Sequence, residues 1–161
     1  MDMPKPGKEH QWLMQLLGEW EIEGEGTMGP DQPKMTWKGT ESVRALGDFW
    51  VIGEGKGAMP EGGEMVNITT YGYDPEKGRF VGTFISSVMT MMWHYEGSLD
   101  PAEKVLTFDT EGPSMMGEGK VARYQDIVEM IDDDHRVLRS QVLGEDGQWQ
   151  QFMTAHYRRV K

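Results

Sequence analysis

A period-two alternation of residue types runs through the chain after Gly18 and limits the folds that it can adopt. In "EWEIEGEGTM", the apolar and small residues share one face of an extended strand, and the glutamates Glu19, Glu21, Glu23 and Glu25 share the other. Similar runs follow, separated by turn residues at intervals of roughly 8 to 12 positions. The pattern predicts an all-β protein.

The alternating segments predict about ten strands joined by short links, without helices between them, so the sheet must be antiparallel. A sheet of this size with one wet and one dry face tends to close, because closure removes its edges. We therefore predict a closed or nearly closed antiparallel up-and-down barrel with one short N-terminal helix. After the first strand, the predicted strands are Lys34–Ala45, Phe49–Gly57, Glu64–Tyr73, Arg79–Ser87, Trp93–Leu99, Lys104–Thr110, Lys120–Asp132, His135–Leu143 and Gln148–Arg159.

The N-terminal segment divides into a tail and a helix. Residues 1–8 contain two prolines and a glycine and are predicted to be a flexible tail. Residues 9–17 carry apolar side chains at helical spacing, and Gly18 follows as a stop signal. Residues 9–161 are then expected to form a single β-barrel domain.

The composition and net charge limit the kinds of partner that the protein can bind. The 161-residue chain is 37% apolar and 27% charged, as a folded domain should be, and its net charge is −11. Such a surface repels phosphate backbones and anionic lipid, so we predict neither a nucleic-acid nor a membrane partner. There is no cysteine, no leader-like apolar segment at the start and no apolar run near the roughly 20 residues that span a bilayer. A cytoplasmic protein is expected.

Methionines concentrate at one end of the predicted barrel. If the helix marks the bottom, the links at 46–48, 74–78, 100–103 and 132–134 lie there and are tight, polar turns. The longer links lie at the top. Nine of the fourteen methionines fall in or beside the top links: Met28, Met35, Met59, Met65, Met89, Met91, Met92, Met115 and Met116.

Three interpretations of this methionine-rich end remain open. The thioethers can simply pack on one another, they can surround the entrance to a ligand pocket, or together with exposed tryptophans they can form a homodimer face. Flexible, polarisable methionine suits a surface that must fit varied apolar shapes. We therefore place Met89, Met91, Trp93 and Met115 among the candidate ligand-binding residues.

Polar residues inside the barrel are the other candidates. On the second strand, Lys38 and Arg44 should face water, which turns Trp37, Glu41 and Val43 inward. A buried carboxylate is costly unless it is paired or protonated. Glu41 is thus expected to pair with an internal arginine, to hold a ligand, or to accept a proton as a general base.

The candidate partners of Glu41 are Arg123 and Arg139. The eighth strand allows two readings, one with Arg123 inside and one with Tyr124 and Asp126 inside. Tyr71 and His156 complete the polar candidates for orienting a ligand.

Two short motifs resemble a known fold family. Gly18-Glu19-Trp20 resembles the G-x-W signature of calycin barrels, and Arg158-Arg159 is similar to the basic residue that packs across that tryptophan. The segments "LLGEW", "LGDFWV", "YGYDPEKGRFVGTF" and "AHYRR" resemble recurring features of a bacterial calycin-like family of unknown function. The resemblance covers nearly the whole chain. It implies a barrel like those of lipocalins and fatty-acid-binding proteins, and no particular activity.

A more distant resemblance to nitrobindins raises the question of haem. Those barrels bind haem through a histidine on the last strand, at a position that corresponds here to Gln151 or Phe152. Neither side chain can ligate iron, and His156 is displaced by several residues. The four histidines also lack a spacing typical of a metal site, and the methionine clusters lack the repeats expected of a copper carrier. No cofactor and no metal are predicted.

Together these patterns predict a barrel that binds a small apolar or amphipathic molecule in an internal pocket, entered at the methionine-rich end. The alternatives are an enzyme that uses Glu41 or His156 as general base in that pocket, and a non-catalytic barrel that forms homodimers.

Overall fold

The structure is a computed structural model that describes residues 2–27, 32–59, 61–115, 117 and 119–161, most of which belong to one antiparallel sheet. A short helix α1, Lys8–Leu13, continues into a 3₁₀ turn, Met14–Leu16. The strands that follow are β1 Gly18–Gly26, β2 Met35–Leu46, β3 Trp50–Ala58, β4 Glu64–Asp74, β5 Arg79–Ser86, β6 Trp93–Leu99, β7 Val105–Pro113, β8 Val121–Asp132, β9 His135–Leu143 and β10 Trp149–Arg159.

The sheet closes on itself, as predicted. Each strand pairs with the next in the chain, and β10 returns to pair with β1, where Trp20 lies opposite Arg159. The all-β up-and-down barrel with one short N-terminal helix is therefore confirmed. The observed α-helix is shorter than the predicted segment 9–17, because its last turn tightens to 3₁₀ geometry before Gly18.

The N-terminal segment before the helix has no regular secondary structure. Residues 2–7 are exposed, and Gly7 precedes the first helical residue. The flexibility of this segment remains a prediction. Among the described residues, no helix is long and apolar enough to cross a membrane.

The helix closes the bottom of the barrel. Leu13 and Leu16 are fully buried and join the core formed by Phe80, Leu106 and Phe108. Burial of these side chains removes apolar surface from water at one end of the lumen.

Two side chains of the helix anchor it to the strands. Trp12 Nε1 donates a hydrogen bond to the carbonyl of Glu103 at 2.6 Å, on a bottom link. His10 Nδ1 accepts from the backbone of Gly7, and Nε2 therefore donates to the carbonyl of Tyr73 at 3.0 Å. His10 is buried, not solvated, because both of its ring nitrogens have partners.

The G-x-W motif joins the two ends of the chain. Trp20 is buried and donates from Nε1 to the carbonyl of Leu16 at 2.9 Å. The guanidinium of Arg159 lies 4.2 Å from the centre of the indole and donates to the carbonyls of Leu17 and Gln15. This is the packing that the resemblance to calycin barrels implies for the Arg158-Arg159 pair.

Gly18 permits this arrangement. Its φ is +128°, and an added Cβ would lie 2.6 Å from Arg159 Nη1 and from the carbonyl oxygen of Lys161. Only glycine adopts such a backbone conformation without strain while other groups approach this closely.

Candidate ligand-binding site

A cavity of about 410 Å³ occupies the lumen of the barrel. It extends from Leu16 at the helix end to Met89 and Met115 in the top links, and every strand contributes to its wall. This volume lies within the range of small-molecule sites, roughly 300 to 1,000 Å³.

The upper wall of the cavity is aromatic and sulfur-rich. Trp93 Nε1 lies 3.5 Å from the sulfur of Met89, and its indole meets the ring of Tyr124 edge-on with centroids 5.3 Å apart. Tyr124 in turn meets Phe152 edge-on at 6.0 Å. Such a wall offers apolar area with little polarity.

The two tryptophans of this wall lie directly over glycines. A Cβ on Gly24 would lie 2.3 Å from the indole of Trp37, and a Cβ on Gly112 would lie 2.1 Å from that of Trp93. The indoles therefore cover bare backbone on the neighbouring strands, which sets how far each ring projects into the lumen. An aromatic ring laid over a strand glycine also protects that weak position of the sheet.

Gly112→Ala is expected to push Trp93 into the cavity. Overpacking of this kind costs about 1–3 kcal/mol of the free energy of unfolding, measured by urea denaturation. Gly55→Ala is the matched control on the same cavity, because its Cβ would meet nothing closer than 3.7 Å. Equal losses in the two variants would show that the contact with Trp93 does not matter.

The lower wall carries a buried ion pair. Arg136 Nη2 lies 2.5 Å from Glu41 Oε1, and the two side chains are only 5% and 11% exposed. The Arg136 guanidinium also lies 4.7 Å from the ring centre of Trp20 and 4.0 Å from that of Tyr157. The Arg136 guanidinium thus interacts with two aromatic faces and one carboxylate.

A second carboxylate, Asp126, is half-buried on the inward face of β8, closer to the top. Asp126 Oδ2 accepts a hydrogen bond from the hydroxyl of Tyr95 at 2.7 Å, and Oδ1 accepts from Ser140 Oγ at 2.6 Å. Burial raises the pKa of Asp126, and these two hydrogen bonds oppose the rise. The surface that Asp126 exposes faces the cavity.

Tyrosines surround both carboxylates. Tyr71 stacks on Phe108, with ring centroids 4.9 Å apart. Burial, followed by the charge of Glu41, raises the pKa of Tyr71 and of Tyr157, so both phenols are neutral hydrogen-bonding groups at neutral pH.

Six of the nine predicted site residues line the cavity: Trp37, Glu41, Tyr71, Met89, Trp93 and Met115. Met91, Arg123 and His156 do not belong to its lining. Met91 is half-buried beside the top of the barrel, and Arg123 is exposed.

The predicted partners of Glu41 were both wrong, although its pairing with an internal arginine was expected. The second reading of the eighth strand holds, with Tyr124 and Asp126 inward, which turns Arg123 outward. Arg139 also faces outward, where it pairs with Glu129. Arg136, three residues before Arg139 on β9, is the partner of Glu41.

His156 faces away from the cavity and lies diagonally across from His135 on β9, where its direct register partner is Val137. His156 Nδ1 and His135 Nε2 are 2.9 Å apart, so one of these nitrogens donates a hydrogen bond and the other accepts it. Desolvation, followed by the nearby charge of Arg158, lowers the pKa of His135. His135 is half-buried.

Four residues of the lower wall were not predicted as site residues: Tyr95, Asp126, Arg136 and Tyr157. Asp126 was named only in one reading of its strand. Arg136 shares one face of β9 with the apolar Leu138, which could have indicated that it points inward. The other face of the strand carries Val137, however, and from the sequence either face could have been the inner one.

The cavity reaches the methionine-rich end, but only part of that end lines the cavity. Met65, Met89 and Met115 do so, and Met153 of β10 joins them. Met35 and Met92 are exposed, Met59 is half-buried, and Met28 and Met116 lie outside the described residues.

The described residues offer no evident metal centre. They contain no group of three or more histidine or acidic side chains placed to hold an ion. Of the two positions that the resemblance to nitrobindins offers for the haem-binding histidine, Phe152 lines the cavity and Gln151 does not, and no histidine lines the described part of the wall.

Solved structures similar to this chain are barrels. The crystal structure of Rv2717c from M. tuberculosis matches with a TM-score of 0.68 at 14% identity, covering 98% of this chain and 100% of that chain. A de novo designed fluorescence-activating β-barrel has a TM-score of 0.47 at 14% identity, covering 91% and 94% of the two chains. A barrel bound to DFHBI, EF1p2_mFAP2b, has a TM-score of 0.48 at 14% identity, covering 94% and 98%. At these identities, the likeness to Rv2717c shows the fold alone.

Sequence comparison identifies a family but no curated relative. The model of a family described as "Protein of unknown function (DUF1579)" matches residues 5–159. No curated protein matches the chain significantly.

Proposed function

Because the chain belongs to the DUF1579 family, whose description assigns no activity, we propose a function from the cavity: the protein binds a small apolar or amphipathic molecule inside its barrel. The observation that carries this proposal is a lumen of about 410 Å³ with an apolar upper wall and a polar lower wall. The ligand enters at the methionine-rich end, because the helix closes the other.

The two walls have different roles in binding. Burying about 250 Å² of apolar ligand surface contributes about 6 kcal/mol at 25 cal/mol per Å². Association costs at least about 4 kcal/mol in lost translational and rotational freedom. The apolar wall alone therefore gives weak binding, and hydrogen bonds from the lower wall are needed for useful affinity.

The residues named for an enzyme are poorly placed for it. Glu41 is held by Arg136 and is not free to accept a proton from a substrate. His156 bonds to His135 outside the cavity lining. The homodimer alternative has exposed Met92 and Trp149 in its favour, and neither competes with a ligand inside the barrel.

Two finer assignments belong to this proposal. Kinship with calycins is supported by the packing of Arg159 on Trp20 at the G-x-W motif. A cytoplasmic location is supported by the cysteine-free composition.

Filling the lumen tests the proposal. Thr69 faces the cavity from β4, so Thr69→Phe is expected to occupy ligand space. The neutral dye N-phenyl-1-naphthylamine should bind the wild-type protein at one saturable site with a rise in fluorescence, and Thr69→Phe should weaken its Kd by about tenfold or more.

Thr40→Phe is the control. Thr40 is exposed on the outward face of β2, so the same side chain added there should leave dye binding unchanged. Absence of saturable binding to the wild type, or equal losses in both variants, would overturn the proposal.

A further inference from the structure

The charges inside the lumen are unbalanced. Glu41, Asp126 and Arg136 are the charged residues that the inward strand faces bring to the cavity wall among the described residues. Lys38 and Lys56 also border the cavity, but they are exposed and lie on the outward faces of β2 and β3. Two carboxylates therefore face one guanidinium, and Glu41 already pairs with it.

Asp126 is the carboxylate without a cation. Within the described part of the chain it forms no ion pair. Its hydrogen bonds from Tyr95 and Ser140 use one position on each oxygen, and a carboxylate offers about four acceptor positions. Free acceptor capacity at a buried site is costly unless a ligand completes it.

We infer that the cavity selects ligands whose apolar body ends in a protonated amine, and that Asp126 binds this amine, an inference that rests on the proposed function. The amine completes the acceptor positions of Asp126 and supplies the missing positive charge. The apolar body then lies along the upper wall, against Trp93 and the methionines.

The surroundings of Asp126 favour a cation. The rings of Tyr95, Tyr71 and Phe108 are mutually packed, with centroid separations of 4.9 to 6.4 Å. Aromatic faces attract ammonium groups, most strongly in a desolvated site. The net charge of −11 also raises the local concentration of cations around the protein.

Two of the three unmatched buried polar atoms agree with a donor-bearing ligand. Among the described side chains, the buried polar atoms without a partner are Asn67 Oδ1, Thr110 Oγ1 and Arg136 Nε. The two oxygens, on residues of the cavity wall, accept hydrogen bonds. Arg136 Nε lies in a guanidinium that Glu41, Trp20 and Tyr157 already surround.

A carboxylate ligand fits the same site poorly. It would bring a third negative charge beside Glu41 and Asp126, and its natural partner, Arg136, is already neutralised. Like charges in a low-dielectric site repel strongly. The barrel should therefore reject the fatty acids that an internal arginine would otherwise suggest.

Three probes that share a dodecyl tail and differ in head group test whether the site prefers an amine to an alcohol or a carboxylate. Dodecylamine, dodecanol and dodecanoate, each below its micelle concentration, are titrated against the protein loaded with N-phenyl-1-naphthylamine. Dodecylamine should displace the dye at a concentration about tenfold lower than dodecanoate, with dodecanol between them. In Asp126→Asn, the advantage of the amine over the alcohol should disappear, while the affinity for the alcohol is retained.

Asp109→Asn is the control for overall charge. Asp109 faces outward on β7 and accepts a hydrogen bond from Gln125, so this variant removes one charge without touching the lumen. It should keep the preference for the amine.

The outcomes are distinct. Dodecanoate binding as tightly as dodecylamine, or an unchanged amine preference in Asp126→Asn, overturns the amine assignment while the binding function stands. Failure of all three probes to displace the dye overturns the amine assignment alone, whereas failure of the dye itself to bind the wild-type protein overturns both. If Asp126→Asn does not fold, as judged by circular dichroism, the ranking of the three probes on the wild-type protein decides.

Discussion

Replacing Glu41 with glutamine is expected to lower the free energy of unfolding by about 3 kcal/mol, because it leaves Arg136 buried without a counter-charge. The two side chains are 5% and 11% exposed, so water cannot replace the lost partner. Urea denaturation of the variant and the wild type, compared at equal m-values, measures the loss.

The outward pair of Glu129 and Arg139 provides the matched control. Each side chain is 30% exposed, so Glu129→Gln should cost less than about 1 kcal/mol. Adding Arg136→Met to Glu41→Gln should recover part of the loss, since the guanidinium left without its partner is then removed. Equal losses for Glu41→Gln and Glu129→Gln would show that the internal pair is no more important than a surface one.

Trp20→Ala is expected to cost about 4 kcal/mol, the range for truncating a fully buried aromatic side chain. Trp20 is 1% exposed and bonds to the carbonyl of Leu16. The guanidinium groups of Arg136 and Arg159 both lie against its ring. The substitution therefore removes the packing at the bottom of the barrel and the contact that joins β10 to the helix end. Thermal and urea unfolding, followed by circular dichroism, measure the effect.

Trp149→Ala is the comparison for this prediction. Trp149 is 37% exposed at the start of β10, so its truncation should cost less than about 1.5 kcal/mol. A loss for Trp149→Ala equal to that for Trp20→Ala would contradict the assignment of Trp20 as the packing centre of the closed end.

The candidate site could be predicted in part. The inward face of the second strand was readable because Lys38 and Arg44 had to face water, and this placed Trp37 and Glu41 on the cavity wall. The need of Glu41 for an arginine followed from the cost of a buried charge. Which arginine meets it depends on strands that are distant in sequence, so the residues alone could not identify Arg136.

The predictions that Met91 and His156 line the cavity were wrong for a similar reason. Met91 lies between the cavity residues Met89 and Trp93, and His156 is next to the cavity residue Tyr157, yet neither side chain lines the lumen. In a strand, a shift of one position moves a side chain to the opposite face. Proximity in sequence to a cavity residue is therefore a poor guide where the parity is unknown.

The sequence by itself determined the closed antiparallel barrel, the bottom helix and the concentration of methionines at the other end. These follow from local properties: the period-two alternation, the turn residues and the order of the links. Tertiary structure alone decided which faces of β8 and β9 turn inward. Both strands carry polar or charged residues at both parities, so residue type did not separate Asp126 and Arg136 from Arg123 and Arg139. The register that places Asp126 opposite Ser140 made that choice, and with it the charge of the lumen.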